Sequence, residues 1–153
     1  MANIYLSSTL LWNGSMEEIF DMVFQSGLDG IELWSQQFFY RKFDIDEFEK
    51  LAALYPLKNC IHSQSWDLNI SSVNDGIRKQ SVTEVKKSVE LAYQLGLDEV
   101  TVHPGHCTIS GIGVSYGAYL KESLREILEY AQKWKIDVSL EIMEKIPNIL
   151  MAK

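Results

Sequence analysis

The sequence predicts a parallel α/β fold in which strands and helices alternate along one domain, residues 1–153. Short β-like runs such as NIYLSS and GIELW alternate with longer segments whose apolar residues recur at helical spacing. In addition, GLDGIEL at Gly27 and GLDEVTV at Gly96 repeat one pattern: a glycine that ends a helix, a leucine, an aspartate in the turn, and a strand. KIDVSLE repeats this pattern without the glycine. Together these features predict four βα units and a fifth strand.

The first two helices are marked by their capping residues. NIYLSS is the first strand, and the helix after it begins with a capping box of Ser15 and Glu18 and ends near Gly27. GIELW is the second strand. In the helix that follows it, Asp44 is the expected N-cap and Pro56 stops the helix.

The same alternation continues through the second half of the chain. LKNCIHS is the third strand, and the long helix after it, RKQSVTEVKKSVELAYQLG, ends at Gly96. EVTVHPG is the fourth strand, YGAYLKESLREILEYAQKWK is the fourth helix and IDVSLEIM is the fifth strand. GIGVSYG, before the fourth helix, matches neither GxGxxG nor a P-loop, so we expect a rim loop there rather than an anion site.

Composition restricts the class of protein. The 153 residues are 46% hydrophobic and 23% charged, which is typical of a folded soluble domain. A net charge of -7 argues against nucleic acid as the main partner. Two cysteines are too few for a disulfide framework, and the N-terminal segment has neither a basic region nor a long apolar run. We therefore predict a reduced, cytoplasmic protein with no membrane span.

Polar side chains occur at or near the carboxyl ends of four successive predicted strands. They are Glu32, His62, His103 and Glu141. Ligands bind at this edge of parallel α/β sheets. Strands that are buried on both faces are otherwise apolar, and an unpaired buried carboxylate is costly. A cation or a polar cavity at this edge would explain Glu32 and Glu141.

Each of these side chains also has a structural alternative. Glu32 could pair with a neighbouring Lys or Arg, His62 could be a hydrogen-bonded core histidine, and His103 could cap a loop. His106 and Cys107, in TVHPGHC, are better explained as loop residues, because H-x-x-H-C lacks the spacing of a structural zinc site. No single residue decides between these readings. The shared position of four side chains at the strand ends favours a functional site; they are Glu32, His62, His103 and Glu141.

A long polar loop, SWDLNISSVNDGIRKQS, follows the third strand. It is longer than a minimal βα connection, so its side chains could hold a polyol or a phosphate. Alternatively, the loop only packs over the strand ends. We favour a role in ligand binding, and the candidate substrate-binding residues are Trp66, Asp67, Asn69 and Arg78, together with Glu32 and His106.

Several of these passages together resemble the xylose isomerase-like barrel superfamily. They are GLDGIELW, the stretch from IHSQSW to VHPG, and VSLEIM, and the LG…VHPG passage is the most specific of them. The group includes sugar-phosphate isomerases and epimerases, hydroxypyruvate isomerase, tagatose epimerase and an apurinic endonuclease. The resemblance spans nearly the whole chain and implies a parallel (β/α) barrel of the TIM type with divalent metals at its carboxyl rim.

The resemblance also implies roles for particular residues. Glu141 matches a metal-binding glutamate that, in the sugar epimerases, is also one of two acid–base carboxylates, so it is the expected catalytic residue. His62 and His103 match histidines that bind metal in the endonuclease branch and face substrate in the sugar branch. The expected cofactor is a divalent ion (Zn, Mn, Co or Mg), held weakly or not at all by this chain. Glu32 matches an acid of the second strand.

Barrels of this type have eight βα units, so the resemblance implies that this barrel is incomplete. The expected function is the N-terminal part of a divalent-metal-dependent sugar or sugar-phosphate isomerase or epimerase, which moves a proton beside a carbonyl. We expect a homodimer that closes the open edges of the barrel. Two alternatives stay open: a non-catalytic half-barrel that binds a polyol or a protein partner, and a metal-dependent abasic-site endonuclease, which the acidic charge disfavours.

Overall fold

A computed structural model describes residues 3–109 and 115–143. In this part of the chain, five parallel strands form one sheet in the order β1-β2-β3-β4-β5. The strands are β1 (Tyr5–Ser7), β2 (Gly30–Trp34), β3 (Lys58–His62), β4 (Glu99–Val102) and β5 (Asp137–Leu140). Because β1 and β5 are the edges of this sheet, the barrel is not closed. Most of the predicted rim loop GIGVSYG lies outside the described residues.

Within the described ranges, five α-helices and one 3₁₀ turn connect the strands. The 3₁₀ turn is Ser8–Leu11, and the helices are α1 (Met16–Gln25), α2 (Ser35–Arg41), α3 (Ile45–Leu54), α4 (Asp75–Gln94) and α5 (Tyr116–Trp134). The predicted parallel α/β fold with four βα units and a fifth strand is confirmed. Helix α2 was not predicted, because its seven residues follow β2 directly and no side chain caps its first turn.

The capping residues explain where the predicted helices begin and end. At the start of α1, Oγ of Ser15 accepts from the backbone N–H of Glu18, while the Glu18 carboxylate accepts from the N–H of Ser15 at 2.7 Å. The side chain of Asp44 caps α3. Gly27 and Gly96, which follow α1 and α4, have φ of +66° and +67°, a left-handed conformation that glycine adopts without strain.

The strands present different side chains to the two faces of the sheet. On the face packed against the helices, the strand residues are apolar and almost fully buried; they include Ile31, Leu33, Ile61, Val100 and Val102. The opposite face is polar. There, the strand register aligns Trp34 with His62, His62 with Thr101, and Thr101 with Ser139. The polar side chains at the strand ends therefore project from a sheet that a helical layer supports from behind.

One apolar core joins the helical layer to the sheet. It contains buried residues from each of the five helices, among them Phe20, Phe38, Phe48, Val85 and Ile127. Burial of this surface is the main source of stability for the scaffold that holds the strand ends in place. None of the helices in residues 3–109 and 115–143 combines the length and the apolar character that a bilayer crossing requires.

Candidate metal centre at the carboxyl ends of the strands

Three potential metal ligands converge beyond the carboxyl ends of β3, β4 and β5. His62 is the last residue of β3, while His103 and Glu141 directly follow β4 and β5. Nε2 of His62 lies 3.1 Å from Oε2 of Glu141, and Nε2 of His103 lies 2.8 Å from the same oxygen. One ligand atom from each residue lies within 4.8 Å of the other two. The parallel strand order brings them together, although 79 residues separate His62 from Glu141.

The hydrogen bonds of His62 fix which ring nitrogen faces the site. Nδ1 lies 2.8 Å from the carbonyl oxygen of Ser63. A carbonyl can only accept, so Nδ1 carries the proton and donates it. In the neutral ring, Nε2 then presents a lone pair to the Glu141 carboxylate, and this arrangement requires a proton or a cation between the two groups. A histidine held in this way by a carbonyl has the tautomer of a metal ligand.

The surroundings of His103 also favour its neutral form. Burial lowers the pKa of His103 below its ordinary value of 6.5, and the charge of His62 lowers it further, whereas Glu141 opposes both effects. Neutral imidazole is the form that binds a metal. Two imidazole nitrogens and one carboxylate oxygen form a donor set typical of Zn²⁺ and other first-row divalent ions. The residues present therefore fit a divalent cation.

The site is closed on one side and open on the other. The side chain of His62 is 2% exposed, that of His103 is 27% exposed and that of Glu141 is 40% exposed. The closed side is formed by Trp34, whose indole stacks on His62 with ring centroids 4.0 Å apart and planes at 5°. The same indole meets His103 nearly at right angles, at 6.1 Å. Solvent and small molecules therefore reach the three ligands from the Glu141 side.

An aromatic wall, formed by Trp12, Trp34, Trp66 and Tyr40, stands beside the three ligands. Ring centroids are 4.7 Å apart for Trp12 and Trp66, 5.8 Å for Trp34 and Trp66, and 5.6 Å for Trp12 and Tyr40. The buried side chain of Gln37 donates to the carbonyl of Trp12 at 3.2 Å and so fixes the start of the wall. The wall supplies an apolar surface next to the polar site.

Glu32 does not join the three ligands. It lies in the middle of β2, in register with Ser7 and Cys60, two residues before the strand ends. Burial, followed by the negative charges of Glu32 and Glu99, raises the pKa of Cys60 to about 11. Glu32 thus belongs to a polar row beneath the site, and its part in substrate binding stays a prediction.

Asn69 and His106 meet through the backbone of His106. Nδ2 of Asn69 donates to the carbonyl of His106 at 2.9 Å, and Oδ1 accepts from the N–H of His106 at 3.1 Å and from that of Ser71 at 3.0 Å. Gly105, which directly precedes His106, has φ of +81°. A Cβ on this residue would lie 2.4 Å from Oδ1 of Asn69. Asn69 therefore fixes the β4–α5 loop, while the side chain of His106 stays exposed.

The guanidinium of Arg78 is engaged within the protein. It donates to the carbonyl of Ser72 at 2.7 Å and to the carboxylate of Asp75 at 2.5 Å, and it lies 4.4 Å from the ring centroid of Tyr119. These contacts hold Arg78 at the first turn of α4. Asp67 is exposed in the β3–α4 loop with φ of +60°. For both residues, substrate binding stays a prediction.

Three aromatic residues beside the site, Trp12, Trp34 and Tyr40, were missed in the sequence. The period-two alternation of β2 places Trp34 on the same face as Glu32 and would have indicated it. Trp12 follows the 3₁₀ turn, where no periodic signal exists. Among the predicted substrate-binding residues, Trp66 is the one that the structure places in the wall.

A comparison with protein families identifies the fold family. The family described as xylose isomerase-like TIM barrel matches residues 20–149 of this chain. This range includes β2 to β5 and therefore all three converging ligands.

Two curated relatives come from Methanocaldococcus jannaschii. The uncharacterized protein MJ1188 is 30% identical over 155 residues, which covers 97% of this chain and 57% of that protein. The uncharacterized protein MJ1311 is 30% identical over 100 residues, which covers 63% of this chain and 33% of that protein. The chain thus spans from about a third to somewhat more than half of these relatives.

Solved structures of epimerases share the fold. A D-tagatose 3-epimerase-like protein matches with a TM-score of 0.78 and 24% identity, covering 97% of this chain and 56% of that chain. An L-ribulose 3-epimerase matches with a TM-score of 0.77 and 20% identity, covering 99% of this chain and 53% of that chain. The five-stranded sheet therefore corresponds to about half of each barrel. With the family match over most of its length, the chain belongs to the xylose isomerase-like TIM barrels.

Proposed function

We propose that the chain is the N-terminal part of a divalent-metal-dependent sugar or sugar-phosphate isomerase or epimerase. The proposal rests on the convergence of His62, His103 and Glu141, whose ligand atoms lie within 4.8 Å of one another. Membership of the xylose isomerase-like family supports it, because the structural neighbours include enzymes named as 3-epimerases of L-ribulose and of D-psicose, the latter studied with D-fructose.

The three ligands would divide the chemistry between them. His62 and His103 hold the cation through Nε2, and a bound divalent ion would polarise a substrate carbonyl. Both imidazoles lie against Oε2 of Glu141, which leaves Oε1 to accept a proton. Because the Glu141 side chain is 40% exposed, it can reach the carbon beside the carbonyl of a substrate that enters from the open side.

The aromatic wall supports a sugar as the substrate. The side chains of Trp66 and Tyr40 are exposed, 47% and 71%, so their ring faces are available to a ligand. Binding sites for small molecules combine such apolar surfaces with a few polar groups that fix orientation. A sugar carries both kinds of surface, with C–H groups for the rings and hydroxyl groups for the metal centre.

Hydrogen exchange on a ketose tests this proposal. The chain is incubated with D-fructose and Zn²⁺ or Mn²⁺ in D₂O. The metal is then removed, and NMR measures how much of the proton at C3 was replaced by deuterium during the incubation. We expect Glu141-dependent exchange of this proton with little inversion, because inversion requires a second base on the opposite face and Glu141 is the one carboxylate among the described residues at the metal centre. Equal exchange by Glu141→Gln, at the same concentration of added metal, would contradict the proposal.

The remaining features of the assembly belong to the same proposal. We propose that residues 1–153 form one domain, since one apolar core includes residues of every described helix.

We also propose a homodimer in the cytoplasm. In this dimer, strand β1 of each copy pairs with strand β5 of the other, so that neither edge stays unpaired. Sedimentation across a hundredfold concentration range tests this assembly, and a monomer throughout would contradict it.

A further inference from the structure

The two histidines of the metal centre are held in different ways. The ring of His62 is covered by Trp34 and bound at Nδ1 by the carbonyl of Ser63. The ring of His103 is more exposed and meets His62 edge to face, with ring centroids 4.6 Å apart. His103 directly precedes Pro104, which restricts its backbone to extended conformations. The direction of the His103 side chain therefore depends strongly on the backbone segment that this residue begins.

Three side-chain hydrogen bonds hold the backbone of the segment after His103. Oγ of Ser71 donates to the carbonyl of Pro104 at 2.5 Å. The amide of Asn69 binds both backbone groups of His106, donating to the carbonyl at 2.9 Å and accepting from the N–H at 3.1 Å. We call these contacts of Ser71 and Asn69 the loop clamp. Because the loop clamp holds the residues one and three positions after His103, it restrains the backbone of His103 as well.

The loop clamp is buried and is itself anchored. Ser71 is fully buried and Asn69 is 5% exposed. The backbone N–H of Asn69 donates to Oγ of Ser81 at 2.8 Å, which joins the clamp to α4, and the N–H of Ser71 donates to Oδ1 of Asn69 at 3.0 Å. A Cβ on Gly105 would lie 2.9 Å from Oγ of Ser71, so the held segment lies directly against the clamp. The clamp can therefore transmit the position of α4 to this segment.

We propose that Ser71 and Asn69 are positioning residues for the metal centre. Through the backbone of residues 104–106 they hold His103 so that its Nε2 faces Oε2 of Glu141, 2.8 Å away. Neither belongs to the three converging ligands, and groups that orient a metal ligand in this way change metal affinity about 10- to 100-fold when they are lost. The inference rests on the proposed function, because it takes His103 as a ligand of the cation.

Titration of the full chain with Zn²⁺, followed by NMR of ¹⁵N-labelled histidine rings, tests the proposal. The chain has three histidines, so each ring can be assigned. In the wild type, we expect Zn²⁺ to move the Nε2 signals of His62 and His103 and to leave those of His106 unchanged. Competition with a chromophoric chelator gives the Zn²⁺ affinity of the same samples.

Removal of the Ser71 hydroxyl should affect one ligand and spare the other. In Ser71→Ala, we expect the Zn²⁺ affinity to fall about tenfold. At saturating Zn²⁺, the signal of His103 should lose its shift while that of His62 keeps it. Ser71→Thr retains a hydroxyl and should restore both the affinity and the shift.

Ser123→Ala is the matched control. Oγ of Ser123 is also buried, and it donates to the carbonyl of Ile70 at 2.6 Å rather than to the segment after His103. Each of Ser71→Ala and Ser123→Ala removes one buried hydrogen bond to a backbone carbonyl, so both should lower Tm to a similar extent. Only Ser71→Ala should weaken Zn²⁺ binding.

Asn69→Asp provides a second, nearly isosteric variant. It keeps an acceptor for the N–H groups of Ser71 and His106 but loses the donor to the carbonyl of His106. The added negative charge would by itself favour a cation, so a weaker Zn²⁺ affinity would have to come from the lost donor. We expect the affinity to fall about tenfold, again with loss of the shift at His103.

The outcomes distinguish this inference from the proposed function. If the Ser71 and Asn69 variants bind Zn²⁺ as the wild type does, or if Ser123→Ala weakens binding equally, the loop clamp serves folding alone. The inference is then overturned and the metal-centre proposal stands. Equal loss of the shifts at His62 and His103 would also overturn it, because the clamp contacts the segment after His103. If Zn²⁺ moves neither signal in the wild type, the proposed function fails and this inference fails with it.

Discussion

The indole of Trp34 lies parallel to the imidazole of His62, with ring centroids 4.0 Å apart and an angle of 5° between the planes. His62 is thus held by three contacts, two to its ring and one to its backbone. Trp34 covers its face, the carbonyl of Ser63 accepts from Nδ1, and the hydroxyl of Ser35 donates to the backbone carbonyl of His62 at 2.9 Å. Nε2 consequently points to Glu141 before any metal binds.

Trp34→Leu should weaken metal binding. Loss of the stacked ring lets the imidazole of His62 turn away from Glu141, and changes to groups that orient a metal ligand typically cost 10- to 100-fold in affinity. Titration with Zn²⁺ measures this loss. Trp66→Leu is the control, because Trp66 belongs to the aromatic wall but does not stack on His62. An unchanged Zn²⁺ affinity in Trp34→Leu would show that the indole does not orient the ligand.

Zn²⁺ should stabilise the fold in proportion to its affinity. At a free concentration of 100 times Kd, binding adds about 2.7 kcal/mol, which for a domain of this size corresponds to a rise in Tm of about 5–10 °C. Differential scanning calorimetry measures the shift, and a chelator should reverse it. Glu141→Gln should abolish it, whereas Glu32→Gln should retain it, because Glu32 lies below the three ligands. Equal shifts in the two variants would exclude Glu141 as a ligand.

The metal-free protein should lose stability in mild acid because of His103. Its folded-state pKa lies below 6.5, so below that pH the unfolded chain binds a proton more readily than the folded chain. The free energy of unfolding should therefore fall as pH drops below about 6.5, through the folded-state pKa. Urea unfolding at pH 7.5 and 5.5 measures the loss. His103→Gln should reduce it, while His106→Gln, at an exposed side chain, should not; the reverse order would refute this prediction.

Much of the fold was predictable because its signals are local. The capping box at Ser15 and the glycines at Gly27 and Gly96 mark helix ends through their own backbone chemistry, and the structure has them in those roles. The position of Glu141 beside His62 was also predictable in outline, because parallel strands bring their carboxyl ends to one edge. Neither inference depended on side-chain detail.

Other features depend on packing, which the sequence does not show directly. The stacking of Trp34 and the joining of Trp12 to Trp66 depend on how three separate elements meet. Asn69 and Arg78 look like ligand-binding residues in a polar loop, yet the structure uses the amide of Asn69 to fix a neighbouring loop and the guanidinium of Arg78 to fix the start of α4. Polar loop residues can serve the backbone as readily as a ligand.

Gly105→Ala should destabilise the protein. The added Cβ would lie 2.4 Å from Oδ1 of Asn69, and φ of +81° is unfavourable for alanine, by about 1–2 kcal/mol before the clash. Urea unfolding measures the change. Gly117→Ala is the matched control, because no atom lies within 4 Å of its added Cβ and alanine favours the helix; its stability should be unchanged or higher by up to about 1 kcal/mol. Similar losses in both variants would contradict this account.

Cys60 should react slowly with alkylating reagents at neutral pH. Its pKa is about 11, mainly because of burial and then because of the charges of Glu32 and Glu99, and the thiolate is the reactive form. In a Cys107→Ser background, the rate of iodoacetamide labelling, followed by mass spectrometry, should rise about tenfold per pH unit from 7 to 10. Glu32→Gln should speed labelling at fixed pH. A rate that levels off near pH 8.5 would show an ordinary thiol.

The position of Glu141 immediately after an edge strand links metal occupancy to the integrity of the sheet. β5 has one strand neighbour in the described sheet, β4, whereas His62 ends a strand with neighbours on both sides. A cation shared by the two residues would close a loop of 79 residues and anchor this edge of the sheet to a strand in its interior. Fraying of β5 and departure of the ion would then be a single event, so amide exchange at Val138 and Leu140 would report directly on how often the centre opens.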